Sequence, residues 1–204
     1  MDLPTLSDTP LSHPNCCLSL SNTLLKTLHD LFRNDAKAAR PTSEVILSVG
    51  CGSGLLESLL QSYITQHEKD DPAVTIPKQV EGAEVATDAS TIMSYLPEDR
   101  ANTVKGTWAL CRRAEDAGAL LFVYPRSVDL VSRYINAFLG YDKARTIVWL
   151  GPQADWDVFR PAFEQHRGPR EARLKLLDGS RCGVGEYEMM AVLQAPDLDL
   201  DLSP

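Results

Sequence analysis

A short apolar segment followed directly by closely spaced glycines constrains the fold of this chain most. Residues 44–49 (EVILSV) are largely apolar, and polar residues precede them. Such a run is typical of a parallel strand that is buried on both faces. Residues 50–54 (GCGSG) follow at once, and residues 55–64 (LLESLLQSYI) have the composition of a helix. The pattern therefore predicts a buried strand that turns through a glycine loop into a helix.

The rest of the chain repeats the alternation of strands and helices. Further strands are predicted at 79–85, 103–106, 119–124, 145–150, 172–177 and 187–193. Further helices are predicted at 21–33, 87–95, 108–116, 127–139 and 157–166. This order predicts an α/β fold with a doubly wound, mostly parallel seven-stranded sheet and helices on both faces. The two closing strands have no clear helix between them, which allows the last strand to run antiparallel.

The domain organisation follows from length and local composition. The chain has 204 residues, which suits one domain. Residues 1–17 contain three prolines among small polar residues and predict a flexible N-terminal arm. Residues 18–195 are expected to form the single domain, and residues 196–204 an acidic tail.

Charge and cysteine content exclude several classes of partner and site. The formal net charge is −8, which argues against binding to bulk nucleic acid or to an anionic membrane. Apolar runs such as 117–125 are far shorter than the roughly 20 residues that span a bilayer. The five cysteines form no CxxC pair, so we expect reduced thiols and no metal site. These features favour a cytoplasmic protein and leave a nuclear location open.

The spacing of the glycines distinguishes among ligand-binding loops. Gly50, Gly52 and Gly54 form GxGxG, whereas dinucleotide-binding loops have GxGxxG and triphosphate P-loops have GxxxxGK[ST]. A buried strand followed by GxGxG resembles the first motif of the class I (Rossmann-like) S-adenosylmethionine-dependent methyltransferases. In that family the strand carries an acidic residue where this chain has Ser48. The resemblance covers about residues 40–195 and implies the Rossmann-like methyltransferase fold, with S-adenosyl-L-methionine as the cofactor.

The same resemblance implies a set of cofactor-binding residues. The family places an acid for the ribose hydroxyls at the end of the second strand, where this chain has Glu84, with Glu81 as the alternative in a shifted register. It places contacts to the adenine after the third strand, although Trp108 could equally belong to the core. The predicted cofactor-binding residues are Gly50, Cys51, Gly52, Gly54, Glu84, Val85, Thr107 and Trp108.

The acceptor side is expected after the fourth strand of the domain. The sequence Val123-Tyr124-Pro125-Arg126 looks like a variant of the N/D-P-P-Y/F segment of nitrogen methyltransferases. We therefore predict Tyr124 and Arg126 as the catalytic residues, with Arg126 able to hold a substrate carboxylate. The loop at 149–156 has two interpretations, a wall for the substrate or the start of a helix.

The sequence thus predicts a methyltransferase that acts on a small molecule or a protein. A catalytically inactive binding or scaffold protein of the same fold is the alternative, and a nicotinamide-dependent oxidoreductase is disfavoured by the glycine spacing. An oligomer or a protein partner is left open.

Overall fold

The structure is a computed structural model that describes residues 2–34, 43–69, 78–86, 93–141, 144–166 and 172–194. Its strands are β1 (Leu11–His13), β2 (Cys16–Leu20), β3 (Val45–Val49), β4 (Gln79–Val85), β5 (Ala101–Val104), β6 (Ala119–Val123), β7 (Thr146–Pro152), β8 (Arg173–Asp178) and β9 (Glu188–Gln194). Its helices are α1 (Asn22–Asn34), α2 (Leu55–Glu68), α3 (Val128–Phe138), α4 (Gln153–Glu164) and α5 (Gly179–Cys182).

The central sheet has seven strands in the order β5-β4-β3-β6-β7-β9-β8. The five strands from β5 to β7 are parallel, and β9 runs antiparallel to both β7 and β8. The predicted fold class is therefore confirmed, including the antiparallel last strand. The strand order changes direction between β3 and β6, and ligands of open α/β sheets bind at the carboxyl ends of the strands beside such a point.

Apolar side chains cover both faces of the sheet. Val45, Leu47 and Val49 of β3 point to the face that α3 and α4 cover, whereas Ile46 points to the face that α1 and α2 cover. Because side chains alternate along a strand, Ser48 faces the α2 side. This alternation places the polar residue of the strand beneath the first turn of the helix that follows the glycine loop.

The N-terminal segment differs from the predicted flexible arm. Residues of β1 and β2 pair antiparallel as a hairpin, so part of the segment 1–17 has regular structure. Leu18 and Leu20 at the end of β2 are fully buried and pack with α1 and α2. Burial of these leucines holds the hairpin against the domain.

One predicted helix is not found as such, and another lies mostly outside the described residues. Within 108–116 the structure has only a short 3-10 turn at Arg112–Glu115. Of 87–95, residues 87–92 lie outside the described residues, as does the predicted acidic tail, and residues 93–95 form a turn. The helix predicted at 157–166 begins earlier, at Gln153, directly after β7. Among the helices described, none has the length and apolar character to cross a membrane.

Candidate functional site

The glycine loop uses a backbone conformation that other residues adopt at a cost. Gly50, Gly52 and Gly54 have φ values of 76°, 56° and 77°, in the left-handed region that disfavours a Cβ atom by roughly 1–2 kcal/mol. A Cβ atom on Gly50 or Gly52 would meet nothing within 4 Å, whereas one on Gly54 would lie 2.7 Å from Leu96. The loop is thus packed at its helix end and leaves open space beside its first two glycines.

Glu84 brings a carboxylate to this loop from the neighbouring strand. One of its oxygens accepts a hydrogen bond of 3.0 Å from the Gly52 N–H, and the other accepts one of 2.9 Å from the Val85 N–H. Glu81, the alternative acid, is buried and accepts hydrogen bonds from Arg113 and Asn102. Of these two acids, Glu84 is therefore the one that lies at the loop.

The turn of the hairpin lies over the glycine loop. The Ser53 hydroxyl donates a 2.6 Å hydrogen bond to the Asn15 carbonyl, and the Asn15 side-chain amide donates to the Tyr95 hydroxyl at 2.8 Å. Loop and turn together enclose a cavity of about 90 Å³. Its lining residues are Asn15, Cys16, Cys17, Gly50, Cys51, Gly52, Ser53, Leu55, Leu56, Glu57 and Val123. The sequence analysis missed the hairpin's contribution, although the alternation of Leu18 and Leu20 could have indicated a strand.

Glu57 is a second carboxylate of the site, and the sequence analysis missed it. It is the third residue of α2, and its Oε1 accepts a 2.6 Å hydrogen bond from the Ser48 hydroxyl. Glu57 is only 2% exposed, and its Oε2 has no hydrogen-bond partner among the residues that the structure describes. Burial raises the pKa of Glu57 to about 7, the hydrogen bond from Ser48 opposes this rise, and the charge of Glu84 adds to it. The position of this acidic residue in the first turn of the helix after the glycine loop could have indicated from the sequence that it belongs to the site.

Two thiols of the cavity, those of Cys16 and Cys51, are not activated. Burial raises the pKa of Cys16 to about 12 and also raises the pKa of Cys51. Both thiols are therefore neutral near pH 7 and unsuited to act as nucleophiles. Cys51 packs on Gly82 of β4, where an added Cβ atom would lie 2.5 Å from the Cys51 sulfur.

Comparisons with known proteins place the fold. A scan against protein-family models finds no match, and neither does a search of curated proteins. Among solved structures, the methyltransferase domain of bacterial CtHen1 is 13% identical with a TM-score of 0.53, and the match covers 83% of this chain and 96% of that domain. A protein from Listeria monocytogenes, assigned to the class I S-adenosylmethionine-dependent methyltransferases, is 13% identical with a TM-score of 0.56, covering 93% of this chain and 64% of that one.

A further match is the plantazolicin methyltransferase BpumL in complex with S-adenosylhomocysteine (SAH), at 11% identity and a TM-score of 0.52, with 86% of each chain covered. The chain has the fold of the class I S-adenosylmethionine-dependent methyltransferases. At identities this low the likeness establishes the fold alone.

Tyr124 and Arg126 follow the end of β6. Tyr124 has a φ of 48°, and its hydroxyl donates a 2.6 Å hydrogen bond to the buried carboxylate of Glu188. Partial burial and this contact raise the pKa of Tyr124. Arg126 is exposed and makes no hydrogen bond or ion pair within the described ranges. Neither side chain lines the cavity, to which β6 contributes Val123. Their catalytic role stays a prediction.

After β5, the methyltransferase fold carries Thr107 and Trp108 in an exposed loop. The Arg133 guanidinium donates to both of their carbonyl oxygens, at 2.8 Å and 2.6 Å. Trp108 is 70% exposed, so the alternative of a core residue is wrong. Neither residue lines the cavity, and the predicted contact of Thr107 and Trp108 with adenine stays a prediction.

The segment predicted as a loop at 149–156 consists of the end of β7 and the start of α4. Trp149 and Trp156 are buried, and their ring centroids lie 5.3 Å apart. Of the two interpretations of 149–156, the start of a helix is confirmed, because α4 begins at Gln153. The indole rings of these residues stabilise the packing of α4 on the sheet.

Proposed function

We propose that the protein binds S-adenosyl-L-methionine at the glycine loop and transfers its methyl group to a small-molecule or protein acceptor. The observation that carries this proposal is the open space beside the left-handed Gly50 and Gly52, next to a carboxylate, Glu84, from the adjacent strand. Backbone N–H groups and a helix N-terminus at such a loop suit a polar ligand.

The residues present fit this cofactor. The two oxygens of Glu84 can accept hydrogen bonds from two ribose hydroxyls, and the bond from Gly52 already holds the carboxylate at the loop. Gly50 and Cys51 form part of the wall of the cavity. The unpartnered oxygen of Glu57 provides a further acceptor at the other end of the loop.

The chemistry requires little from acid or base groups of the chain. The cofactor, when bound, supplies an activated sulfonium methyl group. The residues of the site bind and orient the ligands, and catalysis by proximity suits a site in which the Cys16 and Cys51 thiols are neutral. Arg126, exposed beside this edge, can bind a carboxylate of the acceptor. The net charge of −8 disfavours bulk nucleic acid as the acceptor.

Calorimetric titration with S-adenosylmethionine, with its demethylated product SAH and with NAD tests the proposal. We expect binding of the first two and none of NAD. Glu84→Gln should weaken binding about 10-fold or more, because a charged acceptor is lost. Gly52→Ala should weaken it by filling the open space, whereas the exposed Glu115→Gln is the matched control. Absence of heat with both adenosyl ligands would refute the proposal.

The second candidate is a binding protein of this fold without turnover. The hydrogen bond that the Tyr124 hydroxyl donates to Glu188 favours this candidate, because it engages the hydroxyl of a predicted catalytic residue within the protein. Transfer of a labelled methyl group to a panel of small molecules and proteins separates the two candidates. Labelled product supports the enzyme, and tight binding of S-adenosylmethionine with no labelled product across the panel supports the binding protein.

A further inference from the structure

The strand that precedes the glycine loop has Ser48 in a fully buried position. Glu57 reaches this position from the first turn of α2, since the Ser48 hydroxyl donates to its Oε1 at 2.6 Å. The chain thus has a carboxylate beneath the glycine loop, although the residue that carries it lies nine positions later in the sequence. The hydrogen bond from Ser48 fixes one oxygen of Glu57, a residue that lines the cavity.

The second oxygen of Glu57 lacks a hydrogen-bond donor among the described residues. Glu57 is buried, and within the described part of the chain its Oε2 has no hydrogen-bond partner. A buried carboxylate oxygen without a partner costs free energy, and native proteins seldom retain one without a reason. A donor supplied by a ligand would remove this cost.

The surroundings of Glu57 favour a cationic donor. Among the described residues, those that line the cavity include Glu57 and no lysine, arginine or histidine. The titratable groups that face Glu57 are the thiols of Cys16 and Cys51 and the carboxylate of Glu84. The thiols are neutral because burial raises their pKa values, and Glu84 is a like charge. A positive group bound here would therefore meet acidic neighbours, and no cationic side chain of the described lining would compete with it.

We propose that Glu57 binds the ammonium group of the amino-acid end of the adenosyl cofactor, with Ser48 as the positioning residue that orients the carboxylate. This inference rests on the proposed function and assigns one end of the cofactor to one part of the cavity. The cavity of about 90 Å³ has room for an amino-acid end and not for a whole nucleoside. Loop glycines and the hairpin turn at Asn15 form its walls.

The test compares two ligands on two proteins by calorimetric titration. The ligands are SAH and its analogue without the α-amino group. The proteins are the wild type and Glu57→Gln. We expect Glu57→Gln to weaken SAH binding about 10-fold to 100-fold. Removal of the amino group should weaken binding to the wild type by a similar factor. The two losses should not multiply when combined, because they remove the same contact.

Glu68→Gln is the matched control, since Glu68 is also buried and lies at the other end of α2. It should leave the affinity for SAH unchanged. Equal SAH affinity in the wild type and Glu57→Gln would overturn the inference and leave the proposed function intact. An equal loss for both ligands in Glu57→Gln would also overturn it, because a structural role has that signature. A wild type that binds neither ligand would refute both proposals.

A measurement on the wild type alone keeps the inference testable if Glu57→Gln does not fold. At about pH 6 the α-amino group of SAH is protonated, and Glu57, whose pKa is about 7, holds its proton in most molecules. An ammonium contact favours the ionised carboxylate, so binding should release a proton. The measured heat should therefore differ between buffers of different ionisation enthalpy, and less so for the analogue. Equal heats in both buffers would overturn the inference.

Discussion

Removal of the Tyr124 hydroxyl tests whether this residue stabilises the fold or acts on the ligand. The hydroxyl donates a 2.6 Å hydrogen bond to Glu188, which is fully buried. Hydrogen bonds to charged groups contribute roughly 1.5–3 kcal/mol. Because Tyr124 is only half-buried and water can reach part of it, we expect Tyr124→Phe to lower the free energy of unfolding by about 1.5 kcal/mol, at the lower end of that range. In a chain of this length, that loss lowers Tm by roughly 3–6 °C.

The assay is urea unfolding near neutral pH, followed by circular dichroism and by tryptophan fluorescence. Tyr187→Phe is the matched control, since the exposed Tyr187 lies next to Glu188 in sequence and its hydroxyl has no partner among the described residues. The control should be unchanged. A loss below about 0.5 kcal/mol in Tyr124→Phe, or an equal loss in Tyr187→Phe, would contradict the structural assignment. A large fall in SAH affinity with unchanged stability would assign Tyr124 to the ligand.

Three further perturbations address buried groups of the site and the sheet. Burial raises the pKa of Glu57 from 4.5 to about 7, so the folded chain holds this proton more tightly. The free energy of unfolding of the wild type, relative to that of Glu57→Gln, should therefore fall by about 3 kcal/mol as pH rises from below 4.5 to above about 7. Urea unfolding at several pH values measures this, and a difference between the two proteins that does not change with pH would contradict the prediction. Arg113→Ala leaves the buried Glu81 without its ion pair and should cost about 3 kcal/mol, whereas the exposed Arg112→Ala should change the unfolding midpoint little. Gly82→Ala should displace the side chains packed on this glycine and lower the free energy of unfolding by about 1–3 kcal/mol. It should also weaken SAH binding, and an unchanged affinity in calorimetry would refute the packing argument.

Periodic hydrophobicity was sufficient to predict most of the sheet. Strands such as β3 and β6 are buried on both faces, so their apolar runs are visible without knowledge of neighbours. The hairpin was missed because β1 is short and exposed and because prolines in the segment indicate irregular structure. Residues 108–116 have helical composition, but the structure has only a single 3-10 turn there. Local propensity is a weak signal when tertiary contacts decide the outcome.

The candidate site was predictable where backbone geometry decides it. Gly50, Gly52 and Gly54 adopt left-handed φ values. Glycine adopts this conformation readily, so the GxGxG spacing alone indicated where the loop turns. Glu57 was not predictable in the same way. Its contact with Ser48 depends on the direction in which α2 leaves the loop, and no spacing rule for the family's acid points to a helix residue.

The carboxylate of Glu188 has a consequence for how ligands of this protein would influence one another. It accepts hydrogen bonds from the Ser19 N–H in the hairpin, from the Gly185 N–H and from the Tyr124 hydroxyl. A methyl acceptor that displaced Tyr124 from Glu188 would therefore loosen β2, and the hairpin turn before β2 lies over the glycine loop. Since thermodynamic coupling is reciprocal, a cofactor that tightened this turn would change acceptor affinity by the same factor. A single buried side chain thus connects the two sides of the site, and the coupling can be measured as the ratio of cofactor affinities with and without acceptor.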